Sequence, residues 1–158
     1  QVVDAVSIPV VAAGGIVDSR GVVASFAFGA EAVQVGTRFL CSTECIAHDN
    51  YKQAVIKAKD RDAVVTGRST GAPVRALKNK LTKEYEKLEK AGASAEEIEQ
   101  LGVGGLRKAT LEGNVEMGSL MAGQSAAMVK AIEPCADIIK DLFAHVDDVM
   151  GGISSKLQ

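Results

Sequence analysis

The stretch VVAAGGI at residues 10–16 is the most informative part of this chain of 158 residues. The apolar run over residues 9–13 contains no alternating polar residue, so it predicts a buried strand. Gly14 and Gly15 follow at once, and glycine lets the backbone leave a strand in conformations that other residues avoid. Glycine also leaves the adjacent N–H groups uncovered by a side chain. We therefore predict a buried strand that ends in a turn with accessible N–H groups.

A second stretch of the same kind, AVQVGTRF at residues 32–39, follows after one short helix. Residues 33–35 predict the next strand, which ends at Gly36 and Thr37. The connecting helix is predicted over residues 19–29, with the serine at its first position as the cap. The two strands are therefore neighbours in a parallel arrangement, and both end in glycine.

These two strand ends predict a binding site for an anion. Neighbouring parallel strands place both sets of free N–H groups side by side, and such a pair can hold a phosphate dianion. Barrel proteins often bind phosphate with the loops after strands seven and eight. The alternative for a Gly-Gly pair after a strand is a tight turn without a ligand.

Five motifs occur in order along the chain: IPVVAAGGI (8–16), GAEAVQVGTRF (29–39), AHDNYK (47–52), VRALKN (74–79) and GSLMAGQ (118–124). Together they resemble the nitronate monooxygenase family of flavin enzymes, which includes the flavin type of enoyl-[acyl-carrier-protein] reductase. The resemblance covers nearly the whole chain. Residues 75–79 and the charged helix predicted after them are more similar to the reductase branch.

The resemblance implies an α/β fold, namely the C-terminal part of a (β/α)8 TIM barrel (its last two strands) plus a helical C-terminal region. Residues 1–40 are then the last two βα units, and residues 41–158 are a helical insertion and C-terminal helices that pack on the barrel. Two parallel strands cannot close a sheet and leave apolar edges bare. We therefore expect an N-terminal half with about six further strands to complete the protein.

The resemblance also implies FMN as the cofactor and NADH or NADPH as the co-substrate. It assigns cofactor binding to nine residues: Ala13, Gly14, Gly15, Gln34, Gly36, Thr37, Ser119, Met121 and Gln124. The last three lie in a stretch that closes over the flavin in the family; from the residues alone, this stretch predicts a helix start and a tight helix contact. The family's catalytic histidine lies in the N-terminal half, so no catalytic residue is expected in this chain.

The chain has two histidines, His48 and His145. A histidine can relay protons near neutral pH. His48, however, stands at a predicted helix start, and we expect it to cap or pack that helix. His145 precedes two aspartates near the end of the chain and is expected at the surface.

Beyond Phe39 the chain is predicted to be mainly helical. The predicted segments are a helix over 50–60, a loop over 64–73, a helix over 74–90, a capping box of Ser94 and Glu97, a bend over 102–105, a short helix over 106–112, and helices over 119–132 and 134–150. The helix over 74–90 carries a solvated face with the ion pairs Glu84–Lys87 and Glu86–Lys90.

Arg75 stands at the predicted start of that helix, where a cation opposes the helix dipole and needs a compensating partner. We expect Arg75 to pair with a carboxylate or to face an anionic ligand. The resemblance implies two such ligands, an acidic acyl carrier protein and the phosphates of a nicotinamide cofactor. Lys78 and Lys80 are expected to solvate the helix.

Composition narrows the class of protein. The net charge of −2 does not indicate a nucleic-acid-binding surface, and no apolar run reaches membrane-spanning length. Cys41 and Cys45 could share a helix face, but no histidine or second cysteine pair completes a zinc site, so no metal site is expected. With Cys135 they are expected to be reduced thiols, and the cytoplasm is the expected compartment.

Three functions remain open at this point. The first is an FMN-dependent enoyl-[acyl-carrier-protein] reductase that uses NADH or NADPH. The second is a nitronate monooxygenase, and the third is a phosphate-binding barrel without flavin. The expected partners are the N-terminal half of the same protein, an acyl carrier protein or acyl thioester, and a second copy in a homodimer.

Overall fold

The computed structural model describes residues 1–158. The strands are β1 Val11–Ala13, β2 Ala32–Gln34, β3 Ala63–Thr66 and β4 Val74–Leu77. The helices are α1 Val2–Ala5, α2 Ser19–Ala27, α3 Thr37–Leu40, α4 Asp49–Ile56, α5 Lys80–Lys90, α6 Ala95–Gly102, α7 Gly105–Thr110, α8 Cys135–Ala144 and α9 Val146–Lys156. Single 3₁₀ turns occur at Arg68–Thr70 and Ala126–Met128.

The two predicted strands are present and are parallel neighbours, but the prediction that they are buried was wrong for this chain, because only Ala12 and Val33 are half-buried and the other strand residues are exposed. β1 pairs with β2 in a register that places Ala12 opposite Val33. These two residues face a small apolar cluster that includes Val22 of α2 and Ile138 of α8. Residues 1–40 contain the units β1–α2 and β2–α3, and their place as the last two units of a barrel stays a prediction.

The start of α2 differs in detail from the prediction. Asp18 is the N-cap residue, and its carboxylate accepts a hydrogen bond from the Arg20 N–H group. Ser19 is instead the first helical residue, and its hydroxyl donates to the Asp141 carbonyl of α8 over 3.1 Å. The serine thus fixes α2 to the C-terminal helix pair, and the aspartate satisfies the free N–H groups of the helix start.

The segment predicted as a loop followed by a helix forms a β-hairpin, so both predictions were wrong here. β3 and β4 are antiparallel, with Val65 opposite Arg75. Gly67 and Gly71 have φ angles of 72° and 78°, which let the chain reverse around the 3₁₀ turn. Arg75 therefore lies in a strand and not at a helix start. The helix begins only at Lys80, where Asn79 and Thr82 form a capping box.

The helix predicted over 119–132 is also absent. Residues 120–122 pair with the outer edge of β4, where the Leu77 N–H group donates to the Leu120 carbonyl over 2.9 Å. Ala76 and Met121 form a bridge in this pairing. Backbone groups of residues 120–122 thus form hydrogen bonds with β4 instead of with one another in a helix. Residues 41–158 are therefore not purely helical.

Several local predictions are confirmed. The Ser94–Glu97 capping box starts α6, and the ion pairs Glu84–Lys87 and Glu86–Lys90 lie on α5. The helix predicted over 134–150 is present but is divided at His145 into α8 and α9.

The main core surrounds α4. Tyr51 and Val55 are fully buried there, together with Cys41, Leu120 and Ala126. All three cysteines are free thiols. Cys41 and Cys45 do not share a helix face, because α3 ends at Leu40. None of the helices has the length and apolar character needed to cross a membrane.

Candidate functional site

The ends of β1 and β2 form one cavity. Its volume is about 250 Å³, and its wall contains Ala13, Gly14, Gly15, Ile16, Gln34, Gly36, Thr37, Gly123 and Ser125. The two glycine turns meet because parallel strands bring their carboxyl ends to the same edge of a sheet. The structure thus brings together six of the nine residues that the resemblance assigned to cofactor binding.

The cavity presents backbone donors that have no acceptor within the chain. The N–H groups of Gly14, Gly15, Gly36 and Thr37 form no intramolecular hydrogen bond. A phosphate accepts several hydrogen bonds at once, and backbone N–H groups are suitable donors for it. The residues present therefore fit the phosphate group of a cofactor such as FMN.

The physical reason for a glycine differs between the two turns. Gly14 and Gly15 have φ angles of 103° and 76°, which side chains rarely adopt. Gly36 has an ordinary φ of −103°, and a Cβ built on it meets no atom within 4 Å. Neither conformation nor packing within the chain requires glycine at residue 36. Glycine at this position leaves the cavity open beside the end of β2.

The third wall of the cavity comes from residues 123–125. The Gly123 N–H group donates to Thr37 Oγ1 over 2.9 Å and joins this segment to the end of β2. Ser125 lines the same cavity. Sequence reasoning assigned neither residue to the site. The one signal that could have indicated them is the GSLMAGQ motif, because Gly123 lies within it and Ser125 directly follows it.

The three predicted residues of this segment lie elsewhere. Ser119 and Met121 line a neighbouring cavity of about 410 Å³, which also contains Thr66 and Tyr85. Gln124 is exposed and belongs to neither cavity. Contact of these three residues with a flavin stays a prediction.

The backbone of residues 118–121 is held from two sides. The Asn79 amide donates to the Val115 and Gly118 carbonyls over 2.9 and 2.8 Å. The Tyr51 hydroxyl donates to the Met121 carbonyl over 2.6 Å. Burial raises the pKa of Tyr51, so its hydroxyl remains a proton donor. Gly118 has no room for a side chain, because a Cβ there would lie 2.7 Å from the Ala109 nitrogen.

Arg38 connects the two glycine turns, and sequence reasoning did not single it out. Its side chain is only 10% exposed. The guanidinium donates to the Val17 carbonyl over 2.7 Å and pairs with Glu133 at 3.3 Å and Asp141 at 2.8 Å. It therefore ties the loop after β1 to α3 and to the C-terminal helices, and it acts as a positioning residue for the cavity.

The histidines have the structural positions that were expected. His48 is the N-cap of α4, where its Nδ1 atom accepts from the Asn50 N–H group over 3.1 Å. Its ring lies where a side chain at Gly113 would stand. His145 is exposed, between α8 and α9.

Solved structures with a similar fold include two longer enzymes, and this chain covers less than half of each. FabK from Thermotoga maritima is 42% identical, with a TM-score of 0.92, over 98% of this chain and 49% of that protein. The nitroalkane oxidase from Streptomyces ansochromogenes is 31% identical, with a TM-score of 0.74, over 95% of this chain and 42% of that protein. Both are TIM-barrel enzymes, so this chain has an α/β fold that matches about half of such a barrel.

Curated sequences give the same relationship. The probable nitronate monooxygenase of Staphylococcus saprophyticus is 37% identical over 150 residues, which are 95% of this chain and 42% of that protein. The chain thus spans less than half the length of this relative. The sequence profile of the nitronate monooxygenase family matches residues 1–145. This chain therefore belongs to the nitronate monooxygenase family, a family of oxidoreductases.

Proposed function

We propose that this chain is the cofactor-anchoring part of an FMN-dependent oxidoreductase. One observation carries the proposal: the N–H groups of Gly14, Gly15, Gly36 and Thr37 have no acceptor within the chain and surround one cavity. Family membership supports a flavin as the ligand, since the phosphate of FMN is a suitable anion for such donors.

The residues of this chain bind and orient the cofactor. The glycine turns hold the phosphate, and the Thr37 hydroxyl keeps residues 123–125 against it by accepting from Gly123. Arg38 fixes the distance between the two turns. When bound, FMN supplies a ring that accepts and donates hydride, while the protein contributes binding and orientation. The proton-transfer histidine is expected in the N-terminal half.

The proposed reaction is the NADH- or NADPH-dependent reduction of the 2,3 double bond of an enoyl thioester. Two observations support it: the chain is more similar to FabK than to the nitroalkane oxidase in identity and TM-score, and residues 75–79 resemble the reductase branch. Oxidation of alkyl nitronates with oxygen is the second candidate, and the names of the curated relatives support it. The family match argues against a barrel without flavin.

Two assays on the complete protein separate these functions. Absorption bands of an oxidised flavin in the purified protein test the cofactor. Anaerobic oxidation of NADH or NADPH with a crotonyl thioester is expected for the reductase, and oxygen uptake with an alkyl nitronate is expected for the monooxygenase. Nitronate-dependent oxygen uptake without thioester reduction would replace our first candidate by the second. A colourless protein that binds no FMN would contradict both.

The partners remain proposals of the same kind. The open face of the β1–β2 sheet, where Val11 is 54% exposed, supports packing against an N-terminal half. An acyl carrier protein or acyl thioester as the substrate and a homodimer as the assembly follow from the resemblance. The cytoplasmic location stays a prediction.

A further inference from the structure

A second cleft lies between the β3–β4 hairpin and α5, away from the glycine turns. Its volume is about 620 Å³. Four basic side chains border it, each from a different part of the chain: Arg68 from the hairpin turn, Arg75 from β4, Lys78 from the connection to α5, and Lys83 from α5. Two carboxylates, Glu86 and Glu89, also border it.

The basic side chains of this cleft have no ion-pair partner. None of the four takes part in any of the salt bridges of the structure. The two glutamates have other partners, since Glu86 pairs with Lys90 at 2.6 Å and Glu89 accepts from the Ser69 hydroxyl over 3.1 Å. Lys90, and to a smaller extent Lys78, lowers the pKa of Glu86. The cleft is thus positive on a chain whose net charge is −2.

The wall of the cleft also contains a free strand edge. All four residues of β3 border it. The outer edge of β4 is paired with residues 120–122, whereas β3 forms no backbone hydrogen bond outside the hairpin. An unpaired strand edge presents N–H groups, which can bind an anion together with the basic side chains.

We propose that this cleft binds the diphosphate group of a nucleotide. Arginine suits phosphate because its planar guanidinium offers paired donors, and Arg68 in the hairpin turn and Arg75 in β4 both border the cleft. The cleft volume lies within the range of about 300–1,000 Å³ that is usual for small-molecule sites. Thr66 borders both this cleft and the cavity of Ser119 and Met121, so the two are adjacent. The identification of the nucleotide as NADH or NADPH rests on the proposed function; the diphosphate site itself does not.

The test measures ADP binding by isothermal titration calorimetry on the complete, FMN-loaded protein. The test variant Arg75→Gln/Lys83→Gln removes two charges from the cleft. The control variant Lys140→Gln/Lys156→Gln removes two charges from exposed side chains of α8 and α9 that also lack ion pairs. We expect the test variant to raise the Kd of ADP about tenfold or more, with the control at the wild-type value. The difference should shrink as salt increases.

Two results would overturn the site: no measurable binding of ADP to the wild-type protein, or equal Kd values in test and control variants. A fall in turnover of carrier-bound substrate alone, with ADP binding unchanged, would assign the cleft to an acidic protein and contradict our proposal. The steady-state KM for NADH separates the two proposals. A protein that binds ADP in the cleft but oxidises neither NADH nor NADPH would keep the site and refute the proposed reaction. An unchanged KM for the nicotinamide cofactor in the test variant would refute the nicotinamide assignment.

Discussion

At the scale of single residues, the glycines and one arginine define the candidate cofactor site. Gly14 and Gly15 are required by their backbone conformation, whereas Gly36 is required by neither conformation nor packing. Arg38 is buried and joins both turns through Val17 and the C-terminal helices. These two roles lead to separate predictions.

Replacement of Gly36 by valine is expected to abolish FMN binding without unfolding the protein. The backbone at residue 36 accepts a side chain, and the new methyl groups would enter the cavity beside the free N–H groups. The measurement is flavin content by absorption after purification, with thermal unfolding as the check on folding. Gly152→Val on exposed α9, where a Cβ also meets no atom within 4 Å, is the matched control. Full flavin content in a folded Gly36→Val protein would place the phosphate elsewhere.

Replacement of Arg38 by methionine is expected to destabilise the protein by about 2–4 kcal/mol and to weaken FMN binding. The change leaves the Val17 carbonyl without its donor and Glu133 and Asp141 without their cation. Urea unfolding gives the stability, and equilibrium dialysis against FMN gives the affinity. Arg20→Met is the control, because Arg20 is exposed and pairs only with its neighbour Asp18. Equal losses in both variants would remove the positioning role from Arg38.

At the scale of structural elements, the hairpin and residues 118–125 form one unit beside the β1–β2 strand ends. Residues 120–122 extend the hairpin, Asn79 holds Gly118 through its amide, and Tyr51 of α4 holds Met121. The segment therefore depends on contacts with three separate elements. It has no regular secondary structure of its own before the 3₁₀ turn at Ala126–Met128.

Replacement of Tyr51 by phenylalanine is expected to cost about 1–2 kcal/mol of stability and to loosen this segment. The ring keeps its packing, but the Met121 carbonyl loses its buried donor. Hydrogen exchange of residues 118–125 and urea unfolding measure the two effects. Tyr85→Phe serves as the comparison, because Tyr85 is only partly buried and its hydroxyl forms no hydrogen bond. Unchanged exchange in Tyr51→Phe would show that Asn79 and the pairing with β4 hold the segment without Tyr51.

At the scale of the whole molecule, the β1–β2 sheet has one packed face and one open face. Ala12 and Val33 pack against the α2–α8 cluster, whereas Val11 is 54% exposed on the opposite face. Ile8 and Phe28 near the same strands are 70% and 84% exposed. Apolar surface of this kind usually marks an interface.

The polypeptide of residues 1–158 by itself is therefore expected to be insoluble or molten. Two strands cannot close a barrel, and the open face would bind a fluorescent dye such as ANS. Circular dichroism during heating and ANS fluorescence test this, with the complete protein as the reference. A sharp cooperative melt of a monomer of residues 1–158 without ANS binding would contradict the expectation.

Local features could be predicted from the sequence with good success. The strands at β1 and β2, the glycine turns after them and the Ser94–Glu97 capping box depend on neighbouring residues, and each is present. The hairpin could not be predicted in this way. Residues 64–73 contain glycine, serine, threonine and proline, which predict a loop where β3 lies. Leu77 continues the helical spacing of the apolar residues of α5, so residues 74–77 were predicted as helix.

The sequence was sufficient to identify the donors of the candidate phosphate site, because glycine after an apolar run has the same backbone consequences in most folds. Only the tertiary structure decided which part of the chain closes the cavity. Gly123 reaches Thr37 across 86 positions of sequence, and Arg38 reaches Asp141 from the opposite end of the chain. Such contacts depend on how separate elements pack, and no local pattern of residues encodes that distance. This is why sequence reasoning missed Gly123, Ser125 and Arg38. It is also why the position of Ser119 and Met121 in the neighbouring cavity was not predicted.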